Sequence, residues 1–341
     1  MSSEKKFNLM TYNIQDMHDL FDRKKKCMKE DEHSVCRIKN INQLIRNVDP
    51  HILGVIEAPS QFWRRKLFRW HPGLQKMGFR DVFSDDHDEE LKCIPDLQTK
   101  HALAIFYRNP LQVVSVNQSD TFYKPWTEDI DDDSIEELIS FERIPLEVRF
   151  HNSDTGKEFL VILIALKSKF VNQPTDIIRF HTLALANRKK LLAQAKKIRE
   201  RLEYFMDREP DLPIVLMGDF NDSPQLDSYE KQLGISALET MMGSVFEPDR
   251  IFHNVLSHWR KDPVRSKELY SAIFQDPVVH NHRARKVWID HILLSPHFLT
   301  ENSYFSLEKG SGKIINQGEA AKASSDHFPL SCRIACHTDL P

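Results

Sequence analysis

The fold class this sequence predicts is α/β: a sandwich of two packed sheets covered by helices. Three observations predict it. Short apolar runs of strand length alternate with helix-periodic segments along the whole chain, with no linker between them. Two pairs of runs are joined by turn signals, the mark of antiparallel hairpins. Most runs are apolar on both sides, as strands buried between layers must be. The 341 residues are 40 % hydrophobic, enough for a substantial core, and residues 1–341 read as one domain without repeats.

Phe7 to Ile14 reads as the first strand. Ile38, Ile41, Ile45 and Val48 then recur at helical spacing until Asp49-Pro50 stops the helix. Ile52 to Glu57 is a short apolar strand. Ala102 to Arg108 and Gln112 to Val116 flank Asn109-Pro110 and are expected to form a hairpin. Ile144 to Phe150 and Phe159 to Leu166 form a second hairpin around Asp154-Thr155-Gly156. The longest helix is expected from Asp176 to Arg208, its apolar stripe formed by Leu191, Ala195, Ile198, Leu202 and Phe205. Arg188-Lys189-Lys190 reads as its exposed face. Pro213 to Met217, Val287 to Leu294 and Phe328 to Ile334 complete the strands.

The charge balance, 47 basic against 50 acidic residues, leaves −3. No global attraction for polyanions follows, so a nucleic acid would have to be met by a local patch. Cys27, Cys36, Cys93, Cys332 and Cys336 are odd in number and follow no zinc spacing. They read as reduced thiols of a cytoplasmic protein, with Cys332 and Cys336 packed near the last strand. The first residues lack the apolar core of a signal peptide, and no run approaches the roughly 18 apolar residues of a membrane span. The acidic clusters Asp85 to Glu90 and Glu128 to Glu137 lack the glycine and ligand spacing of a calcium loop and read as solvated loops.

Chemistry concentrates at strand ends. In Gly218-Asp219-Phe220-Asn221-Asp222 an apolar run ends in an aspartate and an asparagine two positions apart, a spacing that puts both on one side of a strand. A carboxylate and an amide leaving a strand together suit the holding and activation of a water beside a phosphate. Thr11-Tyr12-Asn13-Ile14 ends another strand in an asparagine, and Gly54-Val55-Ile56-Glu57 ends the next in a glutamate. Trp288-Ile289-Asp290-His291 sets an aspartate inside a strand built for burial. Ser325-Asp326-His327-Phe328 sets an aspartate–histidine pair at the entrance of the last strand. Any one of these fits a solvated terminus or a buried carboxylate bonded to backbone; it is five together that point to a site.

In this order the motifs resemble the endonuclease/exonuclease/phosphatase superfamily, which holds DNase I-like nucleases, apurinic endonucleases, inositol polyphosphate 5-phosphatases and neutral sphingomyelinases. The likeness runs from about Phe7 to Arg333 and suggests a bacterial-type member. It implies a DNase I-like four-layer sandwich, two packed and mainly antiparallel sheets flanked by helices, with the site where strand ends of the two sheets meet. It implies Mg²⁺, with Mn²⁺ as a substitute, held by Glu57 with Asp326 beside it. It gives Asp219 the attacking water, Asn13 and Asn221 the positioning of water and phosphate, and His327, paired with Asp290, a developing phosphate charge.

One position departs from that pattern. Before the run Leu166-Lys167-Ser168-Lys169, where the family carries histidine or tyrosine, this chain has Ala165. Alanine can neither give a proton nor bind phosphate through its side chain, and losing a positioned acid–base group costs ~10²–10⁴ in rate. Three readings of Ala165 stay open: an engineered substitution, a natural loss of catalysis, or a slip in which a nearby group such as His181 serves. The intact surroundings favour substitution over erosion.

The resemblance leads us to expect an Mg²⁺-dependent phosphodiesterase, foremost an endonuclease on DNA or RNA, impaired by Ala165. The alternatives are a phosphatase or phospholipase on inositol phosphates or lipid head groups, and an inactive phosphate-binding scaffold. Arg283, Arg285 and Lys286, just before the Asp290 strand, together with Lys167, are the expected substrate contacts, while Trp63-Arg64-Arg65-Lys66 and Arg69-Trp70 fit either a rim or an amphipathic helix. No stable membrane association is expected.

Overall fold

The computed structural model describes residues 5–22, 27–59, 79–83, 102–117, 120–171, 176–275, 283–300 and 303–338. The Trp63 to Trp70 stretch, the Asp85 to Glu90 cluster and Cys93 lie outside the described residues.

Two sheets are packed face to face. The first contains seven strands, and its central members are β1 (Lys5–Asn13) and β2 (Ile52–Ala58), which run parallel. β3 (Arg80–Phe83) and β4 (Ala102–Tyr107) extend this sheet beyond β2. The second sheet has six strands. β5 (Leu111–Val116) forms its edge, followed by β6 (Leu146–Asn152) and β7 (Lys157–Ala165). β8 (Ile214–Asp219) then runs parallel to β7, register Ala165 opposite Asp219. β9 (His253–Asn254) is the far edge. A separate two-stranded ribbon joins β10 (Ala272–Gln275) to β11 (Ala284–Val287). β12 (Asp290–Leu294) lies antiparallel to β8, and β13 (Phe305–Leu307) and β14 (Lys313–Ile314) flank β15 (Leu330–Cys336), which closes on β1.

Period-two alternation sorts the core. On β7 and β8, Val161, Leu163, Val215 and Met217 face the first sheet and share its cluster, whereas Leu160, Ile162, Ile164, Ile214 and Leu216 pack under the long helix. The first helix, α1 (Glu32–Val48), covers the first sheet with Ile41, Leu44, Ile45 and Val48; Asp31 caps its start by accepting from the Ser34 amide. α2 (Ile177–Arg208), capped by Asp176, covers the second with Leu191, Ala195, Ile198, Leu202 and Phe205. The order is helix, sheet, sheet, helix: the four layers expected. The sheets pack tightly at Gly54, where an added Cβ would stand 2.7 Å from a Leu163 methyl and 2.8 Å from the Met217 tip.

Four expectations need correction. Ala102–Tyr107 and Leu111–Val116 are not a hairpin: the first belongs to one sheet and the second to the other, so the Asn109-Pro110 turn carries the chain between layers. Ile144 to Leu166, by contrast, does give the expected antiparallel pair β6–β7. Arg188-Lys189-Lys190 is not a free face. Arg188 pairs with Asp227 at 2.8 Å, Lys189 with Asp131 at 2.6 Å and Glu137 at 2.7 Å, and Lys190 with Glu142 at 2.8 Å. The acidic 128–137 segment is thereby pinned to α2 by a lysine rather than left as a solvated loop. Finally, Asp290 opens β12 instead of lying within it. Cys332 and Cys336 are buried free thiols, and burial pushes both well above the usual thiol range.

Candidate active site

The two parallel pairs end on the same side of the molecule, and the antiparallel strands beside them begin there. This topology turns separated motifs into one surface. β1 delivers Asn13, β2 delivers Glu57, β8 delivers Asp219, the first residue of β12 is Asp290, and Asp326-His327 lead into β15.

The centre is a chain of bonds across the sheet boundary. Asn13 Nδ2 donates to Asp219 Oδ2 at 3.0 Å, and His327 Nδ1 lies 2.8 Å from Asp290 Oδ2. Asp219 and Asp290 face each other in register on β8 and β12. Ligand atoms of Asp219, Asp290 and His327 all lie within 4.8 Å of one another. Both carboxylates are only 3 % exposed. Burial drives the Asp219 carboxyl up to about 7, against the pull of the His327 cation and with the push of Asp290. Burial opposes charge on His327 too, but its bonded partner Asp290, with Asp219 and Asp326, outweighs that and sets its pKa at about 10. The ring is therefore held as a cation at neutral pH. With Nδ1–H given to Asp290, the hydrogen-bond contact of Nε2 among the described residues is Asn13 Nδ2, at 3.5 Å, and that group is itself a donor. A charged N–H is thereby left without an acceptor among the described residues. Asn13 Oδ1, buried, has no hydrogen-bond partner among the described residues.

Around this centre the backbone is set by short-range bonds. Asp16 N donates to Glu57 Oε2 at 2.7 Å, and Glu57 sits at φ +63° beside a register shift in β2. Ser325 Oγ donates to Asn13 O and accepts from the amides of Gln15 and His327. Ser271 Oγ accepts from the amides of Ile289 and Asp290. Behind Asp290, His291 is fully buried between Asn254 Nδ2 and Asp222 O, each at 2.9 Å, and burial lowers its pKa to about 4. It is neutral, its Nε2–H given to Asp222. Gly218 is required at φ +137°, where a Cβ would meet Ile164 O at 2.0 Å.

Asn221 reaches the centre by a route other than strand alternation. The strand ends at Asp219, and Asn221, at φ +51°, donates its amide to Asp219 Oδ1 and its side chain to Leu166 O. Ala165, 5 % exposed, stands beside Asp219 on the adjacent strand and continues the Val161–Leu163 face toward the site. His181 is bonded to Tyr229 Oη at 2.5 Å on α2, and none of its described bonds reaches the Asp219 cluster. Lys167 leans toward Glu142 at 3.8 Å. Arg283, Arg285 and Lys286 are exposed on the ribbon, which is tied to the site by Ile273 N donating to Asp326 O; Arg285 and Lys286, adjacent on a strand, face opposite ways.

Arg143 escaped the sequence reading. Its Nη2 lies 3.3 Å from Glu57 Oε1, and its charge helps hold Asp219 down. The signal was available: a strand antiparallel to β7 must begin where β7 ends, so a cation just ahead of Leu146 is delivered to Ala165's end.

The donor set fits a hard divalent cation. Burial raises Asp326 against the pull of the His327 cation, and the Glu57 carboxylate, itself paired with Arg143, adds to that rise, so two carboxylates meet at one corner. The unpartnered Asn13 oxygen is a third hard donor nearby.

A model of the Endonuclease/Exonuclease/phosphatase family matches residues 10–327. Among solved structures the chain is similar to an endonuclease/exonuclease/phosphatase from Bacteroides vulgatus, with TM-score 0.54 and 15 % identity over 98 % of this chain and 100 % of that one. It is similar to the human Nocturnin catalytic domain with bound sulfate anion, TM-score 0.53 and 14 % identity over 98 % and 97 %. It is also similar to D. rerio TDP2 complexed with single strand DNA product, TM-score 0.53 and 11 % identity over 97 % and 99 %. Likenesses at such identities speak for the DNase I-like fold. A search of the curated proteins finds no match in sequence.

Proposed function

From the premise that this chain belongs to the endonuclease/exonuclease/phosphatase family, we propose that it is a divalent-metal-dependent phosphodiesterase of the cytoplasm acting on nucleic acid, its turnover reduced by Ala165. The observation that carries this reading is the His327 cation, its Nε2–H without an acceptor among the described residues, clustered with a buried carboxylate that burial raises to about 7.

Glu57 and Asp326, with Asn13 Oδ1 near them, would hold Mg²⁺ or Mn²⁺. The ion, when bound, polarises the phosphoryl oxygen and stabilises the leaving oxygen. This chain's own groups supply the rest. Asp219 Oδ1 and Oδ2, held by Asn221 N and Asn13 Nδ2, orient a water and accept its proton as the water oxygen bonds to phosphorus. His327 Nε2–H donates to a non-bridging oxygen as charge grows there, while Asp290 fixes the ring and balances its charge. Arg143 offers a second cation to the phosphate. The ester bond to the leaving oxygen breaks, and that oxygen takes its proton from solvent, because Ala165 has none to give.

The nucleic-acid preference rests on the exposed Arg283, Arg285 and Lys286 beside the site and on a structural neighbour solved with a DNA product. The deciding experiment assays the chain and its Ala165→His variant on plasmid DNA, RNA and inositol phosphates, with and without EDTA. Metal-dependent cleavage of DNA or RNA is expected. Phosphate release from inositol phosphates alone would replace the substrate class, and binding without turnover in the variant would favour a scaffold.

A further inference from the structure

Beside the centre lies a cleft of about 610 Å³ between the first turns of α1, the 322–326 turn and the ribbon strand β10. Its inner end is Asp326 and Ser325; Ile273 and the buried Phe328 give it an apolar side. Its cations are Arg37 and Lys322, and the exposed His33 also lines it from the helix side. Among the described lining residues Asp326 is the one acid, in a chain whose net charge is −3. Arg37 is also a strut: Nε donates to Ser324 O at 2.7 Å and a terminal nitrogen to Gln15 O. It fixes the turn that carries Asp326-His327 against the exit of β1. The opposite wall is the ribbon that bears Arg285 and Lys286, with Lys286 opposite Ile273 in register.

A cleft of this size, within the ~300–1,000 Å³ range of small-molecule sites, can hold a nucleotide-sized extension of the substrate. Its two cations line the same cleft as the acidic end and can meet a second phosphate, and its apolar side suits a base or sugar face. The geometry points to this cleft as the subsite for the nucleotide next to the scissile phosphate, with Lys322 and Arg37 meeting the neighbouring phosphate and His33 beside them. This rests on the nucleic-acid reading above and fixes the direction in which a single strand leaves the centre, across α1 and not over α2.

The test is a binding titration of the full chain with fluorescein-labelled oligothymidylate, with Ca²⁺ present, repeated over a range of salt. A phosphate contact on a single strand adds about 0.7 to the slope of log affinity against log salt. Lys322→Glu, an exposed change, should weaken strand binding about fivefold or more and lower that slope by about 0.7, at an unchanged melting temperature. His33→Glu should act in the same direction. With Arg285→Glu as comparison, affinity and slope unaltered in both Lys322→Glu and His33→Glu would overturn the subsite while leaving nuclease function standing. Failure of the unsubstituted chain to bind any strand would instead remove the nucleic-acid reading itself. Weakened binding of inositol hexakisphosphate without weakened strand binding would also overturn it.

Discussion

The two sheets build their halves of the site by the same device and fill it differently. Each contains one parallel pair, β1–β2 and β7–β8, whose carboxyl ends open on the centre. In the first sheet both ends carry polar side chains, Asn13 and Glu57. In the second, Asp219 stands beside Ala165, a methyl group. The difference teaches that a strand-end site is assembled position by position on a scaffold that does not need any one of them: Ala165 packs in the same inter-sheet cluster as Leu163 and Met217, and the strand is intact around it.

The sharpest way to break the comparison is to empty the other member of the second pair. Asp219→Asn keeps the shape but leaves no group to accept the water's proton, and metal-dependent cleavage should fall ~10³-fold; a loss under tenfold would show that Asp219 is not the base. Next in size is an effect on folding. His291 Nδ1 can accept from the buried Asn254 Nδ2 only while the ring is neutral, and its folded pKa of about 4 lies below the ordinary 6.5. The unfolded chain therefore binds the proton first. Its contribution is intact above pH 6.5 and is lost as pH falls toward about 4, ~3 kcal/mol in all. Urea midpoints should drop steeply between about pH 6.5 and 5, and His291→Gln should flatten that drop.

Filling the gap should sharpen the comparison from the other side. Ala165→His is expected to raise kcat at least ~10-fold with little change in KM, since the imidazole would serve the leaving group in the transition state. An unchanged kcat would remove this account of the position. Smallest is the pH dependence of kcat/KM in the unsubstituted chain. Asp219 acts only deprotonated and His327 only protonated, so the rate should climb about tenfold per unit below about 7 and decline above about 10. A flat acid limb would contradict the assignment.

What could be read from residues alone was whatever local sequence determines. The apolar runs ending in Asn13, Glu57 and Asp219 gave strand ends because burial on both faces leaves little choice of structure. The stripe from Leu191 to Phe205 gave the long helix for the same reason. The partnership of those ends needed pairing order, which no single run contains. Asn109-Pro110 shows the limit: a turn signal reports reversal, not whether the next strand joins the same sheet or the opposite one. Arg188-Lys189-Lys190 shows another, since a basic run is solvated or clamped according to where remote acids such as Asp131 and Glu142 fall. Asn221 was placed near Asp219 for a reason that does not hold, alternation, when a left-handed turn does the work. Arg143 was hidden because its value depends on β6 starting where β7 stops.

The missing side chain at Gly54 acts as a spacer gauge for the whole reaction zone. Leu163 and Met217 rest where its Cβ would be, while Glu57 lies three residues beyond it on one sheet and Asp219 two beyond Met217 on the other. A methyl group inserted there would meet the tips of both side chains, which would have to turn aside just below the mouth. Because those tips are flexible while the backbones are not met, Gly54→Ala should lower the melting temperature modestly and leave the strand ends in register.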